Sequence, residues 1–311
     1  MANYIQGMNQ LITAYAANIP GACLYGQNLN NGTFISGLTK KLVAHPTGRV
    51  VNTGNCENTL CGVGFGMMLG GVTSIYFVKQ LDFMLLGLDH FVNTYNFIRS
   101  SRDLSKLGSF TIILLVCDQG MQGAQSSGNS FGDYASLARI PCFTLTNSAD
   151  ADQGLRTQLT APGFRMIALN MRHFRSEFLQ LNAVYATKDS TVFQYTEGAG
   201  ATIVSFNFSL PEGLAVHKAF AGAGLSASLF SVNYAPVVDW SRIKQSVAQT
   251  KRLVILDDSK SVHLPCYQLL DELHAEGLAF KRDVVTRQRI EYGVSPEPFL
   301  VDPQAIVAKL G

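Results

Sequence analysis

Charged residues are scarce in this chain, and its basic residues form no cluster. Of 311 residues, 24 are Lys or Arg and 22 are Asp or Glu, so charged residues make up 15% of the sequence and the net charge is +2. An average soluble protein carries about 25% charged residues. Without a concentration of Lys and Arg, the chain lacks the electrostatic footprint that nucleic acid requires. The shortage of charge also indicates that other chains cover part of the surface, which favours an oligomer.

The sequence lacks the features of a secreted or membrane-spanning protein. No signal peptide is visible, and the cysteines form no CxxC pair; several lie in apolar stretches, where a free thiol behaves as a small hydrophobic group. The six are Cys23, Cys56, Cys61, Cys117, Cys142 and Cys266. The uncharged stretch 58–78 contains five glycines, so a buried helix, a Gly-Gly turn and a buried strand explain it better than a spanning helix. We expect a reducing, cytoplasmic location.

Several common catalytic motifs are also missing. The chain contains no Walker A, HExxH or GxSxG sequence and no array of Cys and His with zinc spacing. The segment Gly62–Gly66 has the spacing GxGxG instead of GxGxxG and lies within a predicted helix, so it indicates close helix packing. An unrelated α/β dinucleotide-binding protein, the weakest alternative, would need a phosphate-binding turn that the sequence does not supply.

What the sequence does contain is an alternation of strand and helix patterns. Strands are predicted at 23–25, 49–52, 74–78, 110–116, 142–146, 201–206, 226–232 and 252–256, and helices at 57–69, 81–95, 212–223, 240–250 and 263–276. This alternation predicts an α/β fold with mainly parallel sheets, arranged as two three-layer domains. The polar stretch 187–200 interrupts the pattern and suits a linker. We therefore divide the chain into residues 1–188 and 189–311.

Residues 52–91 carry a more specific pattern. A Glu follows a short strand, and then come a Gly-rich helix, a strand, an aromatic residue and an acidic-polar pair; these are Glu57, Gly62, Gly66, Gly71, Phe83 and Asp89-His90. The pattern resembles the pyrimidine-binding domain of thiamine-diphosphate enzymes of the transketolase superfamily. It is most similar to the beta subunit of the decarboxylating component of 2-oxo-acid dehydrogenases. The resemblance implies a pyrimidine-binding domain over 1–188 and a transketolase C-terminal-like domain over 189–311.

The resemblance implies that two side chains bind the cofactor. Glu57 would hydrogen-bond a nitrogen of the aminopyrimidine ring and favour the tautomer that removes the thiazolium proton, which makes it the catalytic residue. Phe83 would stack on the pyrimidine face. The alternatives are that Glu57 is an ordinary acid in the first turn of a helix, where carboxylates are favoured by the helix dipole, and that Phe83 is a core residue. Asp89 and His90 suit a subunit interface or helix packing.

The diphosphate half of the family's cofactor site has no counterpart here. Relatives bind the diphosphate through Mg²⁺ on a separate domain that carries Gly-Asp-Gly and, further on, Asn. Gly132-Asp133-Tyr134 is no substitute for this motif. The resemblance therefore implies an alpha-type partner subunit that holds Mg²⁺ and the diphosphate, with the cofactor shared at the interface of an α₂β₂ assembly. No metal site is expected in this chain.

The loop that follows the 110–116 strand lacks a histidine that many relatives place there. Its nearest polar candidates for contact with a substrate are Gln125, Ser127 and Asn129, which can hydrogen-bond a hydroxyl or carbonyl group but cannot act as acids or bases near neutral pH. A solvated Gly/Ser loop is an equally good interpretation. The missing histidine argues against ordinary acyl transfer to a lipoyl group and leaves open transketolase-type ketol transfer or acyl transfer to an unusual acceptor.

Two functions of different kinds remain. The first is an enzyme subunit that makes or breaks a carbon–carbon bond next to a carbonyl group, by 2-oxo-acid decarboxylation with acyl transfer or by ketol transfer. The second is a non-catalytic subunit with the same fold that serves as a scaffold for a partner. The presence of both Glu57 and Phe83 argues against the scaffold, which needs neither.

Overall fold

The computed structural model describes residues 2–119, 126–287 and 298–310. Its first sheet has six parallel strands in the order β2-β1-β3-β4-β6-β5. They are β1 Cys23–Gly26, β2 Arg49–Asn52, β3 Ser74–Val78, β4 Ser109–Val116, β5 Cys142–Thr144 and β6 Gly163–Asn170. The helices around this sheet are α1 Tyr4–Ala17, α2 Glu57–Leu69, α3 Tyr95–Ser101, α4 Phe131–Ala138 and α5 Ser148–Gln158.

The central strand β4 shows why this sheet lies between two layers of helices. All eight of its residues are buried. Phe110, Ile112 and Leu114 belong to a core shared with α2, α3 and α4, whereas Ile113 and Leu115 belong to a second core shared with α1 and α5. Successive side chains of a strand point to opposite faces, so a continuous apolar run fills both cores.

The second sheet has the order β12-β11-β9-β10-β8-β7 and is parallel except at β8 and β7. Its strands are β7 Tyr185–Ala186, β8 Val192–Thr196, β9 Ala201–Phe206, β10 Ala227–Val232, β11 Arg252–Asp257 and β12 Lys281–Thr286. Its helices are α6 Leu210–Gly222, α7 Ser241–Thr250, α8 Cys266–Ala275 and α9 Pro303–Leu310. Helices α7 and α8 cover one face, and α6 and α9 cover the other.

The predicted fold class, α/β with two three-layer parallel-sheet domains, is confirmed. Two local predictions are wrong. The stretch 187–200 is not a plain linker, because β8 lies within it and pairs with β10. The segment 81–95 is not one regular helix but a 3₁₀ segment, Leu81–Gly87, followed by a π-helical turn and α3. The boundary between 188 and 189 stays a prediction. None of the helices in the three described ranges is long and apolar enough to cross a membrane.

Candidate functional site

Glu57 lies in the first turn of α2, as its position after a short strand predicts. It is only 6% exposed, which is unusual for a carboxylate in the first turn of a helix. In the described parts of the chain, no side chain or backbone group forms a hydrogen bond or ion pair with this carboxylate. Burial, together with the nearby Glu57 charge, raises the pKa of the Cys61 thiol to about 12. Glu57 is therefore a largely buried residue whose carboxylate has no donor within the described ranges and whose oxygens keep some accessible surface.

Close packing of α2 against the sheet fixes the position of Glu57. A Cβ atom at Gly64 would overlap the Phe110 ring and lie 2.5 Å from the Tyr25 hydroxyl oxygen, so only glycine lets the helix approach β4 and β1 this closely. The Tyr25 hydroxyl donates a hydrogen bond to the Leu60 carbonyl oxygen at 3.0 Å. Gly64, and less tightly Gly62, thus serve helix packing, as predicted from the GxGxG spacing, whereas a Cβ atom at Gly66 would meet nothing within 4 Å.

Phe83 is half-buried in the 3₁₀ segment Leu81–Gly87, which packs against α2. The Asn58 amide donates a hydrogen bond to the Leu86 carbonyl oxygen at 3.0 Å and so ties the first turn of α2 to this segment. The structure therefore brings the elements that carry Glu57 and Phe83 together. The half-exposed ring of Phe83 retains surface on which another ring can stack.

Asp82, next to Phe83, was not among the predicted site residues. Its Oδ1 accepts a hydrogen bond from the Gly128 amide at 3.2 Å, and its Oδ2 is buried without a hydrogen bond to the described residues. Burial raises the pKa of this carboxyl group, and Lys260 partly offsets the effect. Asp82 connects the Phe83 segment to the loop before α4. The only signal in the sequence is that Asp82 is the one charged residue in the otherwise apolar run 81–88.

The three predicted substrate residues differ in how the structure places them. Gln125 lies outside the described residues. Ser127 is buried, and its carbonyl oxygen accepts a hydrogen bond from Lys260 Nζ at 2.8 Å. Asn129 is also buried; its Nδ2 donates to Asp118 Oδ2 and to the Asp258 carbonyl oxygen, both at 3.0 Å. These contacts favour a structural role for Asn129, and a role in substrate binding stays a prediction for all three residues.

A buried ionic cluster lies behind this loop and joins the two sheets. It consists of Asp118 at the end of β4, Asp258 after β11, Arg172 and Arg287. Arg172 contacts both carboxylates, at 2.9 Å from Asp118 and 2.5 Å from Asp258. Although burial opposes ionisation, Arg172 and Arg287 hold the pKa of Asp258 below its ordinary value. These ion pairs connect the residues after β4 to the residues after β11, which makes the cluster a structural link.

Other predicted features also have a defined place. His90 lies against α2, where a Cβ atom on Gly62 would come within 3.3 Å of His90 Nε2, and His90 Nδ1 is 3.0 Å from Thr94 Oγ1. This agrees with helix packing. Asp133 accepts a hydrogen bond from Ser261 Oγ at 2.9 Å. Within the described ranges, no three His, Cys, Asp or Glu side chains are placed to hold a metal ion.

Comparison with known proteins identifies the family. Residues 1–172 match the family model for the transketolase pyrimidine-binding domain. The chain belongs to this transketolase family. Pyruvate dehydrogenase E1 component subunit beta-1, mitochondrial, of Arabidopsis thaliana is 21% identical over 242 residues, a match that covers 75% of this chain. The chain spans 65% of the length of that curated relative.

Solved structures show the same transketolase fold. A split-gene transketolase, described as an inactive beta4 tetramer, is similar over 100% of this chain and 97% of its own, with a TM-score of 0.75 and 15% identity. A transketolase from Campylobacter jejuni is similar over 100% of this chain and 45% of its own, with a TM-score of 0.66 and 11% identity. The sequence resemblance to a beta-type protein of the transketolase superfamily is therefore confirmed.

Proposed function

We propose that this transketolase-family chain is the β-type subunit of a heteromeric, thiamine-diphosphate-dependent enzyme that makes or breaks a carbon–carbon bond next to a carbonyl group. The observation that carries the proposal is the Glu57 carboxylate, buried at the start of α2 with no partner in the described ranges. The residue is largely enclosed, but its carboxylate oxygens are not among the fully buried polar atoms, so a bound molecule can reach them. A carboxylate in such a place that the described chain leaves without a donor favours a ligand that supplies one. A protonated ring nitrogen is such a donor.

The described residues fit the pyrimidine half of the cofactor. Glu57 would hold a proton between its carboxyl oxygen and the ring nitrogen, and Phe83 would stack on the ring and exclude water from one face. Asp82 would position Phe83 through its hydrogen bond to Gly128. When bound, thiamine diphosphate supplies the electron sink for cleavage next to a carbonyl group.

The residues in the described ranges do not fit the diphosphate half of the cofactor, and the sequence lacks the family's Gly-Asp-Gly motif, which supports the need for a partner. Mg²⁺ with a diphosphate requires carboxylate and carbonyl ligands. The described part of the chain contains no group of three His, Cys, Asp or Glu side chains that could hold a metal ion. We infer that an alpha-type subunit holds Mg²⁺ and the diphosphate, in an α₂β₂ assembly. Exposed apolar side chains on α2 and the 3₁₀ segment (Val63 at 45%, Leu85 at 63% and Leu86 at 60%) provide a surface for such a partner.

The experiment that tests this function compares Glu57→Gln with Glu177→Gln in the assembled complex. Glu177 is an exposed glutamate outside the candidate site, so its substitution controls for the loss of one negative charge. We expect Glu57→Gln to lower turnover by a factor of about 100 or more, the range for loss of a positioned acid–base group, and Glu177→Gln to change nothing. Unchanged turnover in both variants would indicate the non-catalytic scaffold.

The reaction class is decided by substrate tests on the same complex. A 2-oxo-acid enzyme releases carbon dioxide from pyruvate-like acids, whereas a ketol transferase acts on ketose phosphates. The missing loop histidine argues against acyl transfer to a lipoyl group, so the tests on 2-oxo acids should not depend on a lipoyl acceptor.

A further inference from the structure

A cavity of about 520 Å³ lies away from the candidate cofactor site, between α4 and the carboxyl ends of β9 and β10. Neither Glu57 nor Phe83 lines it. Its walls include Phe206 at the end of β9 and Val232 at the end of β10. Ligands of α/β proteins bind outside the carboxyl ends of the strands, and sites for small molecules measure about 300–1,000 Å³. Both the position and the size of this cavity suit a ligand.

Trp240, which lines the cavity, has an unused hydrogen-bond donor. The residue is 4% exposed, and its indole Nε1 is buried without a hydrogen bond to any residue in the described ranges. A buried Trp N–H normally has an acceptor. Two neighbours in the lining already have partners: the Asn233 amide donates to the Ser190 carbonyl oxygen, and the Tyr234 hydroxyl lies 2.9 Å from Ser259 Oγ. A ligand that carries an acceptor would supply the partner that the described residues do not give to Trp240 Nε1.

Two basic side chains, Arg139 and His263, also line the cavity, and both are exposed. Arg139 takes part in no ion pair with the described residues. The nearest acid on α4, Asp133, already accepts a hydrogen bond from Ser261 Oγ at 2.9 Å. An anionic group in the cavity would thus meet positive charge, while the rest of the ligand would contact apolar walls such as Leu264.

We propose that this cavity binds a small molecule that consists of a flat ring and one anionic group, either a carboxylate or a phosphate. The ring lies between the apolar walls and presents an acceptor to Trp240 Nε1, and the anionic group is bound by Arg139 and His263. This site is independent of the proposed cofactor site, so the two proposals can fail separately.

The chain has one tryptophan, so the tryptophan emission comes from a residue that lines this cavity. The probes are phenyl phosphate, benzoate and the uncharged benzyl alcohol, each titrated into the full chain. We expect at least one of the two ring anions to change the emission with half-saturation at about 1–10 mM, the range for ligands of this size, and benzyl alcohol to bind at least fivefold more weakly. The preferred anion distinguishes a carboxylate site from a phosphate site.

Variants of the two basic residues that line the cavity, Arg139 and His263, test the assigned contacts. Arg139→Gln and, separately, His263→Gln should each weaken binding of the preferred ring anion by about fivefold or more. Arg102→Gln, which changes an exposed arginine outside the cavity, should leave binding unchanged. His263 lies in a loop, so its variant remains informative if the change at the end of α4 disturbs folding.

The proposal is overturned if neither ring anion changes the fluorescence, or if benzyl alcohol binds as tightly as the anions. It is also overturned if Arg139→Gln and His263→Gln both bind the preferred anion with the same affinity as the unmodified chain. A response that disappears when a partner chain is added would identify this surface as a protein interface instead, and would contradict the proposal.

Discussion

Removing one charge from the buried ionic cluster should destabilise the protein strongly. Asp118 Oδ2 accepts hydrogen bonds from Arg172 Nη1 at 2.9 Å, from Asn129 Nδ2 at 3.0 Å and from Arg287. In Asp118→Asn, Arg172 and Arg287 would both lose the charged acceptor that they share, at a site where the Asp118 side chain is fully buried. Removing one partner of a buried ion pair costs about 3–5 kcal/mol. We expect a loss of this size in the free energy of unfolding.

The assay is urea unfolding at neutral pH, with Glu197→Gln as the matched control. Glu197 forms an ion pair with Arg242, but the Glu197 side chain is 64% exposed, so this variant should lose less than about 1 kcal/mol. The double variant Asp118→Asn/Arg287→Gln removes both partners of one buried ion pair and should lose less than the sum of its single variants. A loss below about 1 kcal/mol for Asp118→Asn, or additive losses in the double variant, would refute the view that the buried ion pairs of Asp118 stabilise the fold.

Two further predictions concern packing and pH. Gly64→Ala should lower the free energy of unfolding by about 1–3 kcal/mol because its Cβ atom would overlap the Phe110 ring. Gly66→Ala, on the same helix but with nothing within 4 Å of the new Cβ atom, should be neutral or stabilising. Thermal unfolding measures both variants, and equal losses would contradict the packing argument. Burial raises the pKa of Asp150 to about 7. Between pH of about 4 and 7 the folded state therefore keeps a proton that the unfolded chain loses, so Asp150 should lower stability by up to about 1.4 kcal/mol per pH unit as pH rises. Asp150→Asn should remove this slope in urea unfolding measured across that range, and an unchanged slope would contradict the assignment.

The elements that sequence patterns predicted well are those whose burial is uniform or strictly periodic. Strand β4 is a continuous apolar run, and α2 begins and ends where its pattern does. Strand β6 was missed because Arg165 interrupts its apolar residues. In the structure this arginine is buried and donates hydrogen bonds to the carbonyl oxygens of Gln158 and Pro162. Sequence alone does not show that a buried charge will find acceptors.

The candidate site could be predicted in part. The positions of Glu57 and Phe83 on neighbouring elements follow from local spacing and from the family resemblance. The environment of Asn129 does not, because its hydrogen-bond partners Asp258 and Asn207 lie 129 and 78 residues away in the chain. The irregular backbone of segment 81–95 could not be predicted from the sequence either. A Cβ atom at Gly87 would lie 2.6 Å from Cys61 Sγ, and a helical pattern does not reveal such a tertiary contact.

The central claim concerns one contact, between the Glu57 carboxyl group and a ring nitrogen of thiamine diphosphate. The most direct measurement is an experimental structure of this chain assembled with an alpha-type partner and loaded with thiamine diphosphate and Mg²⁺. We predict a Glu57 carboxyl oxygen at about 2.6–3.2 Å from the pyrimidine nitrogen, with the Phe83 ring stacked on the same pyrimidine. A cofactor bound elsewhere, or a Glu57 side chain paired with a protein group and remote from the ring, would contradict the account.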